Sequence, residues 1–300
     1  MSLWIPVTLI AAVFQTVRFM LQKSLSTVKL SAAGATFARF FYSAPLIVAG
    51  LAGYVALSGH AFPELSFRFW AFAAVGGLTQ ILATVCVVML FKQRNFAVGI
   101  TFAKTEVIQT VLLGYVILGE GVSGAGFGAI LLGLVAVLLL SKTPGNSDLW
   151  WQNLTNRASL LGLGSGILFA FASVGYRGAT LQIDDAEPAF RAAVTLAMVT
   201  TLQMASMALW LAWRDRAELS AVWSARHSAV FIGLTSMAGS FGWFFAFSLQ
   251  NAAYVKALGQ VELVLSLLAS ALFFREKITR RELAGMAVLG LSIILLVAVI

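Results

Sequence analysis

The sequence is poor in charged residues, and this shortage excludes the soluble classes of protein. Only 11% of the 300 residues are Asp, Glu, Lys or Arg, whereas 60% are hydrophobic, and the mean hydropathy is +0.92. A soluble domain carries roughly 25% charged residues. No segment shows the apolar/polar alternation of a membrane β-barrel strand. The sequence therefore predicts an all-α integral membrane protein, because helices satisfy their own backbone groups in lipid.

The chain also has few of the residues that build metal, redox and catalytic sites. Its single cysteine, Cys86, excludes an intramolecular disulfide and a cysteine metal cluster. Its two histidines, His60 and His227, lie in polar loops without ligand spacing around them. No catalytic triad pattern and no glycine-rich phosphate loop next to a strand is present. We therefore expect no catalytic residue, no metal and no cofactor, and a function other than that of an enzyme.

The net charge of +8 resides largely in short loops between apolar runs. Membrane orientation explains such loops, so we expect the lipid bilayer and not a nucleic acid as the partner of these charges. The odd-numbered loops hold most of the lysines and arginines. The positive-inside rule therefore places these loops in the cytoplasm and both termini outside, in a multi-pass protein of the cell (inner) membrane.

Ten segments approach the length of about 20 mostly apolar residues that a spanning helix needs. They cover residues 3–21, 33–57, 67–91, 97–118, 124–140, 158–181, 189–213, 228–249, 253–274 and 283–300. The long polar stretch 141–157 contains a Pro-Gly turn and two adjacent tryptophans, and we interpret it as a linker. It divides the chain into a five-helix half at 1–144 and a second five-helix half at 145–300.

An internal duplication relates the two halves. The segment 95–120 recurs without a gap as 251–276, so that Glu106 falls on Glu262, 156 positions later. The same offset places the Gly-Leu-Thr of 77–79 on 233–235. Because five is an odd number of spans, the second half enters the membrane in the opposite orientation. The sequence thus predicts an inverted repeat with its pseudo-twofold axis in the membrane plane.

Apart from Arg68 and Arg177, which we count with the helix ends and loops, seven charged residues lie within the predicted spans, where each costs roughly 2.5–3.5 kcal/mol at the bilayer centre. Five are basic and two are acidic, and this positive balance favours a substrate with a carboxylate or phosphate. They are Arg18, Arg39, Lys104, Glu106, Arg191, Lys256 and Glu262.

Three roles are open for Glu106 and Glu262. They could be structural anchors paired with Arg18, Arg39 or Arg191, since a broken buried ion pair costs about 3–5 kcal/mol. They could instead line the substrate path, or they could couple transport to protons. The same alternatives of coupling and anchoring apply to the three arginines.

The lysines and glutamates occupy different helix faces. At 100° per residue, Lys104 and Glu106 lie about 160° apart and cannot pair within one helix. In the repeat, Lys256 and Gln260 have the i, i+4 spacing of neighbours on one face. A helix with two polar faces must be surrounded by protein or water. The predicted substrate-binding residues are Lys104, Gln109, Lys256, Gln260, Gln80 and Trp243.

Two pairs of glycines have the spacing of small-residue helix contacts. These are Gly124 with Gly128 and Gly162 with Gly166. They predict packing within the helix bundle, and a dimer face is the alternative. A monomer or a homodimer is accordingly expected.

The chain resembles the drug/metabolite transporter superfamily, in particular its ten-helix EamA-type members. The resemblance is carried by the two five-helix halves and by short motifs: Gly119-Glu120, its counterpart Arg275-Glu276, and the Arg-Phe of the second span at 39–40. It implies the export or exchange of small metabolites such as amino acids. Members are usually drawn with cytoplasmic termini, opposite to the orientation that the loop charges predict here.

Together these features predict a secondary transporter, an exporter or exchanger of small polar or anionic metabolites, that works by alternating access. Its partners would be a small-molecule substrate and protons or a counter-substrate. The alternative is a flippase for lipids or lipid-linked head groups, suited by aromatic-rich spans and basic loops. A non-transporting scaffold is disfavoured, because structural spans rarely retain so many charges.

Overall fold

A computed structural model describes residues 2–28, 30–90, 103–140, 157–185, 187–274 and 279–300. All regular structure within these ranges is helical, which confirms the predicted all-α class. The predicted linker lies outside the described residues apart from Arg157, and so does the Arg275-Glu276 motif.

Twelve helices follow one another along the described residues. They are α1 (Trp4–Val28), α2 (Ala32–Ser58), α3 (Phe67–Leu90), α4 (Glu106–Leu113, continued by a π-helical turn at Gly114–Leu118), α5 (Gly124–Leu140), α6 (Arg157–Thr180), α7 (Pro188–Arg214), α8 (Arg216–Ser224), α9 (Arg226–Leu249), α10 (Ala252–Gly259), α11 (Val261–Phe274) and α12 (Arg280–Val299).

Seven helices in the described part of the chain are long and apolar enough to cross a membrane. Their apolar stretches are Trp4–Gln22, Ala32–Ser58, Phe67–Leu90, Ser159–Thr180, Pro188–Arg214, Arg226–Leu249 and Arg280–Val299. Two shorter apolar helical stretches, Glu106–Leu118 and Gly124–Leu140, coincide with further predicted spans.

Local chemistry explains where several of these helices begin and end. The side chain of Ser31 caps α2 by accepting a hydrogen bond from the Gly34 amide at 3.0 Å. Gly59 ends the same helix with a positive φ of 69°, which glycine adopts without a steric penalty. Thr279 and Glu282 form a reciprocal capping box at the start of α12.

The predicted span 253–274 is not one continuous helix, and that prediction was wrong. A turn at Gln260 separates α10 from α11. The Gln260 amide donates to the Ala257 carbonyl at 3.2 Å, and the Leu263 amide donates to the Gln260 carbonyl at 3.0 Å. These bonds span three residues instead of four, so the helix tightens and loses its regular pattern at this point.

The span predicted at 97–118 is interrupted at the corresponding place, although its first part lies outside the described residues. Lys104 and Thr105 form a turn before α4, and the Ile108 amide donates to the Thr105 carbonyl at 3.1 Å. Lys104 is the residue that the duplication places on Gln260. Both copies of the repeated segment therefore contain a break at the same position.

The contacts between helices follow the duplication, because a contact made by a helix of one half has a counterpart made by the equivalent helix of the other half. The two largest equivalent contacts join α3 to α6 and α1 to α9. In the same way, α2 packs on α9 and α7 packs on α3. In the first crossing, a Cβ on Gly175 would lie 2.9 Å from the Gly76 Cα, so both glycines are needed for the close approach. In the second, a Cβ on Gly242 would lie 2.8 Å from the Ala11 Cβ.

The predicted bundle contact of Gly124 and Gly128 was wrong, because both face open space. Two other glycines on α5 make the contacts instead. A Cβ on Gly126 would meet the Tyr254 ring and hydroxyl at 2.9 Å, and one on Gly133 would meet the Ser292 hydroxyl at 2.9 Å. Gly162 and Gly166, by contrast, are buried.

Candidate functional site

Two buried ion pairs connect the first half of the chain to the second. Lys256 Nζ lies 3.1 Å from Glu106 Oε1, and Lys104 Nζ contacts Glu262 Oε1. Each pair takes its lysine from one copy of the duplicated segment and its glutamate from the other. Both glutamates are more than nine-tenths buried, as is Lys256.

The breaks in the duplicated segments position these charges. Glu106 lies in the first turn of α4 and Glu262 in the first turn of α11. A carboxylate is favoured in the first turn of a helix, where the backbone carries partial positive charge. Each glutamate therefore lies at the start of a helix of its own half and pairs with a lysine of the other half.

Glu262 has a second partner that sequence reasoning missed. Gln15 on α1 donates from Nε2 to Glu262 Oε2 at 2.5 Å, so both carboxylate oxygens accept from a side chain. The available signal was the position of a glutamine, Gln15, within a predicted span. The packing of α1 against α10 and α11 brings it to the site.

Lys256 is surrounded by aromatic rings as well as by Glu106. Its Nζ lies 5.0 Å from the centre of the Trp243 ring and 5.6 Å from that of Phe169, both within the range of a cation–π interaction. A Cβ at position 259 would overlap the Trp243 ring, so Gly259 is what lets this ring lie against the end of α10. Trp243 Nε1 is buried and has no hydrogen-bond partner among the described residues.

Two predicted binding residues contribute amide groups near the breaks. Gln109 donates from Nε2 to the Thr105 hydroxyl at 3.1 Å, while its Oε1 has no partner in the described part of the chain. Gln260 is 3% exposed, and its Oε1 is likewise unpartnered within the described ranges. Unpaired buried acceptors are uncommon in native structures, so each of these two oxygens needs a partner that the described residues do not supply.

Gln80 lies in a different place, in a polar cluster between α3, α6 and α7. Its Oε1 accepts from the Tyr176 hydroxyl at 2.8 Å and from Gln203 Nε2 at 2.9 Å. Gln203 Nε2 also lies 3.0 Å from the carbonyl oxygen of Gly77. Tyr176 and Gln203 were missed by sequence reasoning, which had only their position within apolar spans as a signal.

The glutamates pair with lysines and not with the arginines that one of the open alternatives named. Arg39 donates to the hydroxyls of Ser236 and Ser240 on α9 at 2.7 and 3.0 Å. Arg191 donates to the carbonyl of Ser248 at 3.3 Å. Arg39 and Arg191 contact α9 because the helices that carry them, α2 and α7, pack on α9. The two glutamates lie elsewhere, in the first turns of α4 and α11.

The Gly119-Glu120 motif also forms an ion pair. Arg177 Nε and Nη2 lie 2.9 and 2.8 Å from Glu120 Oε1, and Arg177 Nη1 donates to the Phe247 carbonyl at 2.6 Å. Gly119 has a φ of 69°, and this turn places Glu120 directly after the π-helical segment.

The charged and amide side chains at the breaks are suited to binding polar groups. Among the residues the structure describes, no group of three or more His, Cys, Asp or Glu side chains could hold a metal ion. The geometry is that of a helical protein with several apolar spans whose two halves meet through buried, oppositely charged side chains at interrupted helices.

Comparison with known proteins identifies a family for the second half of the chain. Residues 156–298 match the EamA-like transporter family, and this part of the chain belongs to it as a domain of the drug/metabolite transporter superfamily. Together with the apolar helices, this match indicates a multi-pass membrane protein that carries a transporter domain of that type. No curated protein matches the chain significantly.

A solved crystal structure shares the fold over nearly the whole length. The alignment covers 97% of this chain and 96% of the other, with a TM-score of 0.66 and 16% sequence identity. At this identity the likeness concerns the fold alone.

Proposed function

We propose that the protein is a secondary transporter, an exporter or exchanger, of small polar or anionic metabolites such as amino acids. The single observation that carries this proposal is the pair of ion bridges between the halves, Lys104–Glu262 and Lys256–Glu106, at the two helix breaks. Interrupted helices whose ends meet at a repeat interface are the usual construction of a transporter binding site. Charges kept inside spans favour such a role over a purely structural one.

The same contacts support alternating access. In an inverted repeat, the inward-open and outward-open states differ by exchanging the conformations of the two halves. The exchange of α1–α9 for α3–α6 contacts supports halves at 1–144 and 145–300 related in this way. Ion pairs that connect the halves can open and close as the halves move, which contacts within one half cannot do.

The residues at the breaks are the proposed lining of the substrate path. Lys104, Lys256, Gln260 and Trp243 present charged, amide and indole groups there, and Gln109 lies one turn beyond the first break. Glu106 and Glu262 are proposed to couple the movement of the halves to substrate or protons, because each must release its lysine when the halves separate.

Flux into liposomes tests the proposal. Purified protein in proteoliposomes should exchange or export labelled amino acids or organic anions, with and without an imposed proton gradient. If Glu106 couples protons, Glu106→Gln should keep substrate exchange and lose gradient-driven accumulation. Glu64→Gln is the matched control, because Glu64 lies on an exposed loop. Absence of flux for every solute in the panel would overturn the proposal.

The orientation in the cell (inner) membrane is a separate proposal. The basic residues of the odd-numbered loops support a cytoplasmic location for these loops and an outside location for both termini. A reporter that is active only outside the cytoplasm should be active when fused after Ile300. Activity of a cytoplasm-only reporter at the same position would reverse the assignment.

A lipid or lipid-linked head-group flippase is the second candidate, and one observation favours it. An apolar crevice of about 360 Å³ lies between α2, α7 and α8 and is large enough for part of an acyl chain. Its lining is entirely non-polar: Phe37, Phe41, Met204, Ala205, Ala208, Leu219 and Val222. A scrambling assay with fluorescent lipids distinguishes the two candidates, since a metabolite carrier should leave lipid distribution unchanged.

A further inference from the structure

Two buried arginines lack the charge compensation that the lysines have. Lys104 and Lys256 are each paired with a glutamate, so these four charges cancel. Arg18 and Arg39 are 3% and 4% exposed, and no carboxylate pairs with either of them among the residues that the structure describes. Burial of an unpaired charge is strongly unfavourable, so their retention calls for a partner of opposite charge.

The guanidinium of Arg39 is held in place but not neutralised. Its Nε and Nη2 donate to Ser236 and Ser240, whose hydroxyls carry no charge. Its Nη1 is buried and has no hydrogen-bond partner in the described part of the chain. The two serines therefore fix the plane of the guanidinium and leave one nitrogen free to donate.

Arg18 adds a second positive charge beside it. Arg18 Nη1 lies 3.4 Å from Gln22 Oε1, and Gln22 in turn donates to the Ala35 carbonyl at 3.2 Å. The Arg18 guanidinium also lies 4.3 Å from the centre of the Phe19 ring. Ala35 lies one turn before Arg39 on α2, so these contacts place Arg18 beside the part of α2 that carries Arg39. An anion bound there would compensate the buried positive charge and satisfy the free nitrogen of Arg39.

The geometry points to an oxyanion-binding site at Arg39 and Arg18 that takes the carboxylate or phosphate group of the transported substrate. This inference rests on the proposed function, and it moves the anion away from Lys104 and Lys256, which already have glutamates. Because the serines occupy the single Nε–H and one N–H of Nη2, the nitrogen of Arg39 that remains wholly unpaired for an oxyanion is Nη1. The lysine–glutamate pairs then connect the halves, while the arginines bind the substrate.

Thermal unfolding of the full chain in phosphatidylcholine nanodiscs tests the site without requiring transport. The unfolding midpoint is measured against sodium phosphate and sodium acetate, with sodium chloride at matched ionic strength as the reference. A ligand that binds only the folded state raises the midpoint as its concentration rises. We expect phosphate or acetate to do so in the wild type; chloride alone matching both oxyanions would overturn the inference.

Two charge-removing variants and one control assign the effect. Arg39→Gln and Arg18→Gln should weaken the oxyanion response by about tenfold or more, the loss expected for one charge-assisted hydrogen bond. Arg39→Gln should leave the midpoint without oxyanion unchanged or higher, because an unpaired buried charge has been removed. Arg68→Gln, on an exposed position, should respond like the wild type.

An unchanged oxyanion response in Arg39→Gln would overturn the inference. If Arg39→Gln does not fold, Arg18→Gln and Ser240→Ala decide by the same criterion. A response that appears only with phosphatidylglycerol in the nanodisc would identify a lipid head group and contradict a substrate site. If Arg39→Gln retains flux with an unchanged KM, the arginine site is rejected and the proposed transport function is kept. If the protein shows an oxyanion response but no flux, the proposed transport function is rejected and the site is kept.

Discussion

Lys256 and Glu106 approach to 3.1 Å although they belong to opposite halves of the chain. Lys256→Met would leave Glu106 buried without its partner, which costs about 3–5 kcal/mol. We therefore expect a clear fall in the thermal unfolding midpoint. The double variant Lys256→Met, Glu106→Met replaces the pair by apolar side chains and should recover most of the loss. If the loss of unfolding midpoint in the double variant equals the sum of the losses in Lys256→Met and Glu106→Met, the two residues are not coupled.

The packing of Gly259 against Trp243 makes the end of α10 intolerant of any side chain. Gly259→Ala should displace the indole ring and destabilise the protein by about 1–3 kcal/mol, the usual cost of overpacking. Gly290→Ala is the matched control. Gly290 also lies inside a helix but has open space where its Cβ would be, so alanine there should be neutral or slightly stabilising. Equal effects of the two substitutions would contradict the packing argument.

Arg177 contacts Glu120 through two nitrogens and the Phe247 carbonyl through the third. A lysine has one ammonium group and cannot make these contacts together. Arg177→Lys should consequently lower stability by about 1–3 kcal/mol, measured as the shift of the unfolding midpoint. Arg68→Lys, at an exposed position, should leave it unchanged. Full stability of Arg177→Lys would mean that charge alone suffices at this corner.

The loops outside the spans contain a pH-dependent contact between His60 and Asp185. His60 Nε2 lies 2.7 Å from Asp185 Oδ2, and the Glu187 amide donates to Asp185 Oδ1 at 2.7 Å. These hydrogen bonds, that of His60 first, hold the pKa of Asp185 below its ordinary value of 3.8. A carboxylate with a lowered pKa stabilises the fold above that ordinary value, and the contribution is lost as pH falls through the lowered pKa.

Asp185→Asn should therefore lower the unfolding midpoint near neutral pH and flatten its decline below pH 3.8. The measurement is the midpoint from about pH 6 down to about pH 3, in the range where carboxylates titrate. Asp184→Asn, on the exposed neighbouring residue, should follow the wild type. Parallel curves for Asp185→Asn and the wild type would exclude a contribution from this contact.

The positions of the seven long apolar helices in the described part of the chain could be predicted because the bilayer imposes a common length and composition on spanning helices. The breaks could not, since nothing local marks them: Gln260 is an acceptable helix residue, and Gly259 matters only because the Trp243 ring from α9 lies against it. A break of this kind depends on neighbouring helices, which the hydrophobic pattern does not specify.

The sequence predicted which residues belong to the candidate site better than it predicted which of them contact one another. The duplication singled out Glu106 and Glu262, and burial of charge singled out the lysines. The lysine partners of the two glutamates were not predicted, because composition shows which charges are inside the membrane and not which helix faces meet. Gln15 was overlooked for the same reason: a glutamine within a membrane span is informative only when the helix opposite it is known.

The exchange of partners between the halves has a consequence for how the protein is made. Glu262 is synthesised 247 residues after Gln15, its partner on the first helix. Lys104 and Glu106 likewise enter the membrane before their partners exist. The newly inserted first half must hold its charges unneutralised until α10 and α11 arrive. Insertion is therefore complete only with the last part of the chain, and a first half produced alone should be a substrate for membrane proteases until the second half is supplied.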